Sequence, residues 1–236
     1  MRLLLGGLAA LVAVPAAAAP AHHPAAHRAA PAAVRDWSRT VVATPEGGFR
    51  MGNSAARVKL VEYGSLACPH CRHFAETGYQ PLLQRYVRTG RVSYEFRTLI
   101  INGPDISISL LARCSGPARF FPMAEAVYAA QPQWTKPFAA MTEAQKAEIN
   151  GMTDAQRIAR YAQMGGFAQI AARFGVTAAA ARQCLADPAG LKRLLGIAES
   201  AGKIGVEHTP TFFVNGRITE AADWQELEPL IRQAGG

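Results

Sequence analysis

Two cysteines separated by two residues stand where a strand is predicted to pass into a helix, and this junction most constrains the fold. Residues 57–63 alternate polar and apolar side chains and then turn fully apolar, which is typical of a strand. After Cys68, Pro69 stands where the first turn of a helix tolerates proline, and no helix breaker follows until Gly78. The sequence therefore predicts a strand, a turn and a helix that carries Cys68 and Cys71 at its first turn.

This position has a chemical consequence for the two thiols. The N-terminus of a helix offers unsatisfied N–H groups and a partial positive charge, which favour a thiolate at Cys68. Cys71 lies one turn later on the same side, where it is placed to attack a mixed disulfide formed at Cys68. The imidazole of His70 is expected to lower the pKa of Cys68 further, the alternative being a solvent-exposed turn residue.

The N-terminus predicts export. Met1-Arg2 precedes an uncharged apolar segment, 3–14, and a run of four alanines, 16–19, as in a secretory signal peptide. The alternatives are an uncleaved anchor or a buried apolar helix. Eighteen of the twenty residues from 15 to 34 are Ala, Pro or His, so residues 20–40 are predicted to form a flexible tether. Three tail histidines could touch a metal, although a solvated tail is expected: His22, His23 and His27.

Export changes how the four cysteines are interpreted, because disulfides persist outside the cytosol. The four cysteines could form a zinc site, two structural disulfides, or one redox pair plus one structural pair. Cys114 and Cys184 supply neither a second C-x-x-C nor a nearby histidine, so zinc is disfavoured and no metal is predicted. The other two interpretations remain open on spacing alone.

Composition excludes several classes of protein. Half of the residues are hydrophobic and 18% are charged, which is typical of a globular chain rather than a disordered or multispan one. The formal net charge is +8, but the arginines are scattered and no nucleic-acid motif is present. No nucleic-acid partner is therefore predicted, and the charge is interpreted as favouring solubility.

Two segments carry a resemblance to a known family. Residues 61–71 resemble the active-site strand and helix of the DsbA family of bacterial thiol-disulfide oxidoreductases, and residues 207–216 resemble its cis-proline loop and following hairpin. Independently, 211–214 is typical of a short strand, and Asn215-Gly216 is a strong signal for a type I′ hairpin. The resemblance implies an α/β protein with a thioredoxin-like fold and an inserted all-helical domain.

The resemblance also implies roles for individual residues. Thr209 and Pro210 are expected to bind an extended substrate peptide beside Cys68. Glu62 matches a buried acid beneath the cysteine pair that helps to move the proton of Cys71, although a glutamate at the end of an apolar strand could point to solvent. Two charged residues on the next predicted strand have no assigned role, Glu95 and Arg97.

The distance along the chain between the two motifs requires an insertion. Cys71 and Pro210 are 139 residues apart, whereas a βαβ crossover needs only about 30. Thr142 and Thr153 begin capping boxes, which indicate helices. The domain prediction is a thioredoxin-like part at 41–103, a helical insert at 104–188 and a second thioredoxin-like part at 189–236. Further helices are predicted at 178–186, ended by Pro188, at 191–201, and at 223–234, kinked by Pro229.

Cys114 and Cys184 fall near the two ends of the predicted insert. Antiparallel first and last helices would bring these cysteines together, so a structural disulfide between them is expected. Two buried free thiols or a second redox pair are the alternatives.

These inferences together predict a periplasmic enzyme that introduces disulfides into reduced, unfolded secreted proteins through Cys68 and Cys71. It would need no cofactor of its own, act as a monomer, and pass electrons to a membrane quinone-linked partner of the DsbB kind. Thr209 before the proline leaves a disulfide isomerase or reductase as an alternative. A protein dedicated to one client and a metal-binding C-x-x-C module are further alternatives.

Overall fold

The central sheet is built around two strands whose residues are almost all buried. The computed structural model describes residues 35–236. The strands within that range are β1 Val41–Ala43, β2 Phe49–Gly52, β3 Val58–Gly64, β4 Val92–Thr98, β5 Thr211–Val214 and β6 Arg217–Ile218. They lie in the order β1-β2-β4-β3-β5-β6, and β3 and β4 pair in parallel while the other neighbours are antiparallel. Near-continuous burial of β3 and β4 is typical of strands covered on both faces.

The predicted strand, turn and helix around the cysteines are confirmed. The strand β3 passes through a short turn into α1, Pro69–Thr77, whose N-cap residue is Cys68 and whose C-cap residue is Gly78. Helix α2, Tyr79–Leu82, continues into a wider helical turn, Leu83–Val87, before the chain returns to β4. The first cysteine therefore lies at the junction between the sheet and its first helix.

The predicted hairpin is confirmed as well. Strands β5 and β6 pair with Val214 opposite Arg217, which leaves Asn215 and Gly216 as the two turn residues. Both have positive φ angles, 51° and 79°, as a type I′ turn requires. This turn aligns β5 against β3, with Thr211 opposite Tyr63, and so places the start of β5 beside the end of β3.

A series of helices interrupts the chain between β4 and β5, which confirms the thioredoxin-like fold with a helical insertion. They are α3 Gly103–Cys114, α4 Pro117–Ala129, α5 Gln131–Trp134, α6 Lys136–Ala139, α7 Glu143–Asn150, α8 Asp154–Met164, α9 Phe167–Ala172, α10 Ala178–Leu185 and α11 Pro188–Lys203. A last helix, α12 Trp224–Gln233, follows β6. Both predicted capping boxes are present, at Thr142 and Thr153. No helix in the described part of the chain has the length and apolarity to cross a bilayer.

Earlier helices of the insertion cover one face of the sheet, and α11, the last helix before β5, covers the other. On α4, Phe120 stacks on Phe49 of β2 with ring centroids 4.1 Å apart. On the opposite face, Ile197 of α11 packs in a cluster with Tyr63 of β3. Because side chains alternate along a strand, the neighbour Glu62 points away from α11 and toward the insertion.

Two sequence predictions, on a helix boundary and on the tether, are wrong. Pro188 does not end a helix but begins α11, because Asp187 caps this helix with hydrogen bonds from the N–H groups of residues 189 and 190, and proline fits the first turn. Helix α12 runs through Pro229, and the kink expected there stays a prediction. The predicted tether is too long at its C-terminal end, because Trp37–Arg39 forms a 3₁₀ turn and the N–H of Trp37 donates to the carbonyl of Arg88 at 3.2 Å. Residues 1–34, with the predicted signal peptide and the tail histidines, lie outside the described residues.

A disulfide joins two helices of the insertion. Cys114 at the end of α3 and Cys184 in α10 are bonded, with their Cα atoms 6.1 Å apart, although 70 residues separate them in sequence. The two helices pack against each other, and their antiparallel arrangement stays a prediction. The bond therefore closes a long loop that contains α4 to α9.

We expect the Cys114→Ala/Cys184→Ala double variant to lose stability but keep its thiol chemistry. Closing a 70-residue loop stabilises a protein by about 4 kcal/mol in the chain-entropy account. Urea unfolding of the two proteins would measure the difference. An unchanged unfolding free energy in the double variant would contradict a structural role.

Candidate active site

The two cysteines of the C-x-x-C segment lie one above the other at the start of α1. The side chain of Cys68 is 4% exposed, and Cys71, one turn into the helix, is fully buried. Pro69 and His70, between them, are exposed. The first sulfur therefore lies just beneath the surface, and the second lies behind it.

Several donors stabilise the thiolate of Cys68 and lower its pKa to about 5. The largest cause is a hydrogen bond from the Cys71 thiol. Burial opposes the shift, but the Thr209 hydroxyl and the backbone N–H groups of Cys71 and His70 lower the pKa further. His70 thus contributes its backbone N–H, and the role of its imidazole stays a prediction.

Cys71 has the opposite character. Burial, the hydrogen bond that it donates to Cys68 and the nearby Glu62 all raise the pKa of Cys71 well above its ordinary value. The backbone N–H of Ser65 lies 3.5 Å from its sulfur and offsets a part of this shift. At neutral pH the reduced pair therefore holds a thiolate at Cys68 and a thiol at Cys71.

Glu62 lies beneath this pair, so the alternative in which it points to solvent is wrong. It is 1% exposed, and the hydroxyl of Tyr94 donates to its Oε2 at 2.5 Å. Burial raises the pKa of Glu62 to about 8. Glu62 and Cys71 line the same cavity of about 20 Å³, which has room for one water molecule. This arrangement can exchange a proton between the carboxyl group and the buried sulfur.

The loop before β5 forms the other wall of the site. The peptide bond between Thr209 and Pro210 is cis. The carbonyl oxygen of Thr209 lies 3.3 Å from the sulfur of Cys68. Pairing of β5 with β3 brings this loop beside the cysteines, and Phe212 packs on Phe74 of α1 with ring centroids 4.7 Å apart. Thr209 and Pro210 are therefore adjacent to the thiolate despite a separation of 141 residues.

The two unassigned charges on β4 lie on the other face of the sheet. Arg97 donates to Glu95 at 2.7 Å, and the hydroxyl of Thr44 donates to the same carboxylate oxygen at 2.7 Å. Because neighbouring residues of β4 alternate between faces, Tyr94 points to Glu62 whereas Glu95 points away. This pair stabilises the sheet against the N-terminal segment and does not reach the thiols.

Sequence analysis missed the polar residues that the insertion contributes to the site. Asp105 of α3 is fully buried and accepts hydrogen bonds from Ser65 Oγ at 2.6 Å and from the backbone N–H of Ile101 at 3.1 Å. Burial raises the pKa of Asp105 to about 6. The hydroxyl of Tyr128 donates to the carbonyl of Ser65 at 3.1 Å. No local motif marks these residues, because they meet the active-site loop only through tertiary packing.

The part of the chain that the structure describes contains no candidate metal site. No three side chains of His, Cys, Asp or Glu converge there in a way that could hold an ion. His22, His23 and His27 lie outside the described residues, so the metal-binding alternative, which combines them with the C-x-x-C cysteines, stays a prediction.

Known proteins share this fold. A family model described as Thioredoxin matches residues 44–233. The crystal structure of a protein-disulfide isomerase from Novosphingobium aromaticivorans is 30% identical with a TM-score of 0.75, covering 80% of this chain and 98% of that one. Wolbachia pipientis alpha-DsbA1 shares the fold at 19% identity, with a TM-score of 0.62 over 78% of this chain and 89% of that one. A provisionally named protein-disulfide oxidoreductase of Rickettsia bellii is 29% identical over 80% of this chain, but the match spans only 65% of that relative's length.

We expect the Cys68 thiolate of the reduced protein to titrate near pH 5, well below the ordinary thiol value of 9. Replacement Cys71→Ala removes the strongest donor to the sulfur and should raise this pKa. Ultraviolet absorbance of the thiolate as a function of pH measures both values, because the bonded Cys114 and Cys184 do not titrate. An apparent pKa near 9 in the wild-type protein would contradict the stabilised thiolate.

We expect Glu62→Gln to stabilise the reduced protein by an amount that grows with pH. Folding raises the pKa of Glu62 from 4.5 to about 8, so the wild-type protein loses stability as the pH rises between these values. The glutamine, which can still accept from Tyr94, avoids this loss. Urea unfolding across that pH range measures the gain, with Glu148→Gln, which removes an exposed carboxylate, as the matched control. A gain that does not depend on pH would contradict a carboxyl group buried in its neutral form.

Proposed function

We propose that this chain, which belongs to the thioredoxin family, is an exported thiol-disulfide oxidoreductase that introduces disulfides into reduced secreted proteins. The observation that carries the proposal is the stabilised thiolate at Cys68, with a pKa of about 5, above the buried thiol of Cys71. A stabilised thiolate favours the reduced form of the pair, and this makes the disulfide form a strong oxidant.

The first step is attack by a client thiolate on the sulfur of Cys68. The bond between Cys68 and Cys71 breaks, a mixed disulfide joins the client to Cys68, and Cys71 leaves with the electron pair. The raised pKa of Cys71 means that the leaving sulfur takes up a proton. Cys68, the less buried of the two cysteines, is the sulfur that a client meets first.

Glu62 is the proton source for that sulfur. Its pKa of about 8 keeps its carboxyl group mainly protonated at pH 7, and it shares a water-sized cavity with Cys71. The carboxylate left behind recovers its proton from solvent before the next cycle. The role implied by the family resemblance is thus supported by burial and position.

The second step completes the oxidation of the client. A second client thiolate attacks the client sulfur of the mixed disulfide, and Cys68 leaves as the thiolate that the surrounding N–H groups stabilise. Two client thiols have then become one disulfide, and the Cys68–Cys71 disulfide has become a thiolate and a thiol.

Thr209 and Pro210 hold the client backbone during both steps. The carbonyl of Thr209 lies 3.3 Å from the Cys68 sulfur, so a client strand that pairs with it places a client cysteine beside that sulfur. Such pairing of an extended peptide with backbone groups needs no particular client sequence. It suits reduced, unfolded secreted proteins, which expose extended backbone.

The cellular setting follows from the predicted signal peptide at residues 1–19. The protein acts in the periplasm as a monomer and needs no bound cofactor, because the two cysteines carry the electrons. The reduced pair must then be reoxidised, and a membrane quinone-linked protein of the DsbB kind is the proposed acceptor.

A disulfide isomerase or reductase is the second candidate function. The Novosphingobium aromaticivorans protein, which is 30% identical, is named a protein-disulfide isomerase. Thr209 before the proline also fits an isomerase or reductase, as the sequence analysis indicates. The two functions require opposite redox states at rest, because an isomerase or reductase must be kept reduced.

The equilibrium reduction potential of the Cys68–Cys71 pair distinguishes the two candidates. We expect a value well above the endoplasmic-reticulum poise of about −180 to −210 mV, measured against glutathione in the Cys114→Ala/Cys184→Ala background so that one pair titrates. The oxidised protein should then form disulfides in a reduced unfolded client, and Cys68→Ser should abolish this activity. A potential near the thioredoxin value of about −270 mV would contradict an oxidase and favour the isomerase or reductase.

A further inference from the structure

We propose that Gln131, at the start of α5 in the insertion, is a positioning residue that holds the backbone of Cys68 where the helix N–H groups can stabilise its thiolate. This inference rests on the proposed function and names the residue that tunes the same pair. Gln131 does not touch the sulfur or a client. It acts through the main chain of the active-site loop.

The side-chain amide of Gln131 donates both of its N–H bonds to the active-site loop. The side chain is 5% exposed, and its Nε2 donates to the carbonyl oxygens of Leu66 and Cys68, each at 3.1 Å. Both N–H bonds of the amide are therefore used, one on each side of Ala67. A single side chain spans the turn that leads from β3 into α1.

Arg72 sets the orientation of this amide. Its Nε donates to Oε1 of Gln131 at 3.2 Å, and its guanidinium also pairs with Glu76 at 2.9 Å. Arginine can only donate hydrogen bonds, so it must face the amide oxygen. The NH₂ group of Gln131 is thereby directed at the two carbonyls, and the loop and the helix that follows it are joined through one side chain.

The contact of Gln131 with the carbonyl of Cys68 restrains the start of α1. It also accepts the first hydrogen bond of α1, from the backbone N–H of Arg72 at 3.1 Å. With two donors on one oxygen, the peptide plane after Cys68 has little freedom to turn. This peptide leads through Pro69 into the first turn of α1, where the N–H groups of His70 and Cys71 lower the pKa of Cys68.

Removing the amide would leave the carbonyl of Leu66 without this donor and the carbonyl of Cys68 with the N–H of Arg72 alone. A buried acceptor without a partner is costly, so the loop would turn its carbonyls toward other donors or water. The N–H groups at the start of α1 would then point less directly at the sulfur. The thiolate would lose stabilisation, and the disulfide would become a weaker oxidant.

This contact makes the insertion a part of the redox centre as well as a cover for the sheet. Tyr128 of the preceding helix donates to the carbonyl of Ser65, so α4 and α5 together hold the carbonyls of residues 65, 66 and 68. Within this set, Gln131 is the residue that reaches the carbonyl of Cys68 itself.

The test replaces Gln131 with methionine, which keeps the length of the side chain but cannot donate. We expect Gln131→Met to raise the Cys68 pKa by about one unit, measured by thiolate absorbance. The equilibrium constant for oxidation of glutathione should fall about threefold to tenfold, and a tenfold change corresponds to about 30 mV. The matched control is Gln133→Met, because Gln133 lies on the same helix but is exposed, and we expect both quantities to stay at their wild-type values.

A second variant covers the case in which Gln131→Met does not fold. Gln131→Asn keeps an amide but is one methylene too short to reach both carbonyls, and its control is Gln133→Asn. A folded Gln131 variant with wild-type thiolate pKa and equilibrium constant overturns the inference, even if its unfolding free energy has fallen. This outcome differs from failure of the proposed function, in which the wild-type protein itself lacks the low thiolate pKa.

Discussion

The stabilisation of one buried thiolate by hydrogen-bond donors is the interaction on which the rest of this structure depends. Burial of Cys68 destabilises its thiolate, and hydrogen-bond donors from three sources offset this effect. They are the Cys71 thiol, the backbone at the start of α1 and the hydroxyl of Thr209. These groups come from a helix and a distant loop that the sheet brings together. A thiolate held in this way makes the oxidised pair reactive toward other thiols.

Two groups below the thiolate, Glu62 and the Cys71 thiol, are mainly protonated at neutral pH. Glu62 is buried, and burial raises its pKa to about 8. The thiol of Cys71 is likewise kept protonated by its surroundings. At neutral pH, Glu62 can therefore store a proton beside the pair without adding a full negative charge next to Cys68. As a consequence, the folded protein loses stability at high pH, where the buried Glu62 must ionise.

Sequence patterns located the parts of the site that lie in continuous segments. Pro69 after Cys68 marked the helix N-terminus, and the Asn215-Gly216 turn placed β5. Glu62 was identified only through resemblance, because an acidic residue in an apolar strand has no local signature for burial. Asp105 and Gln131 could not be found, since their partners lie 40 and 63 residues away and are reached only through packing of the insertion. The backbone N–H of His70 was not singled out, because side-chain chemistry is visible in a sequence and hydrogen-bond direction is not.

The sequence alone determined the strand and helix around the cysteines, the hairpin, and the helical character of the insertion, because each depends on periodicity, capping or turn residues within a few positions. The position of Cys68 at a helix N-terminus also predicted which sulfur is charged. Tertiary structure decided how deeply Cys71 is buried, which carboxyl groups are buried, and which side chains hold the loop. These properties depend on burial and on donors contributed by distant elements, such as Thr209 beside Cys68.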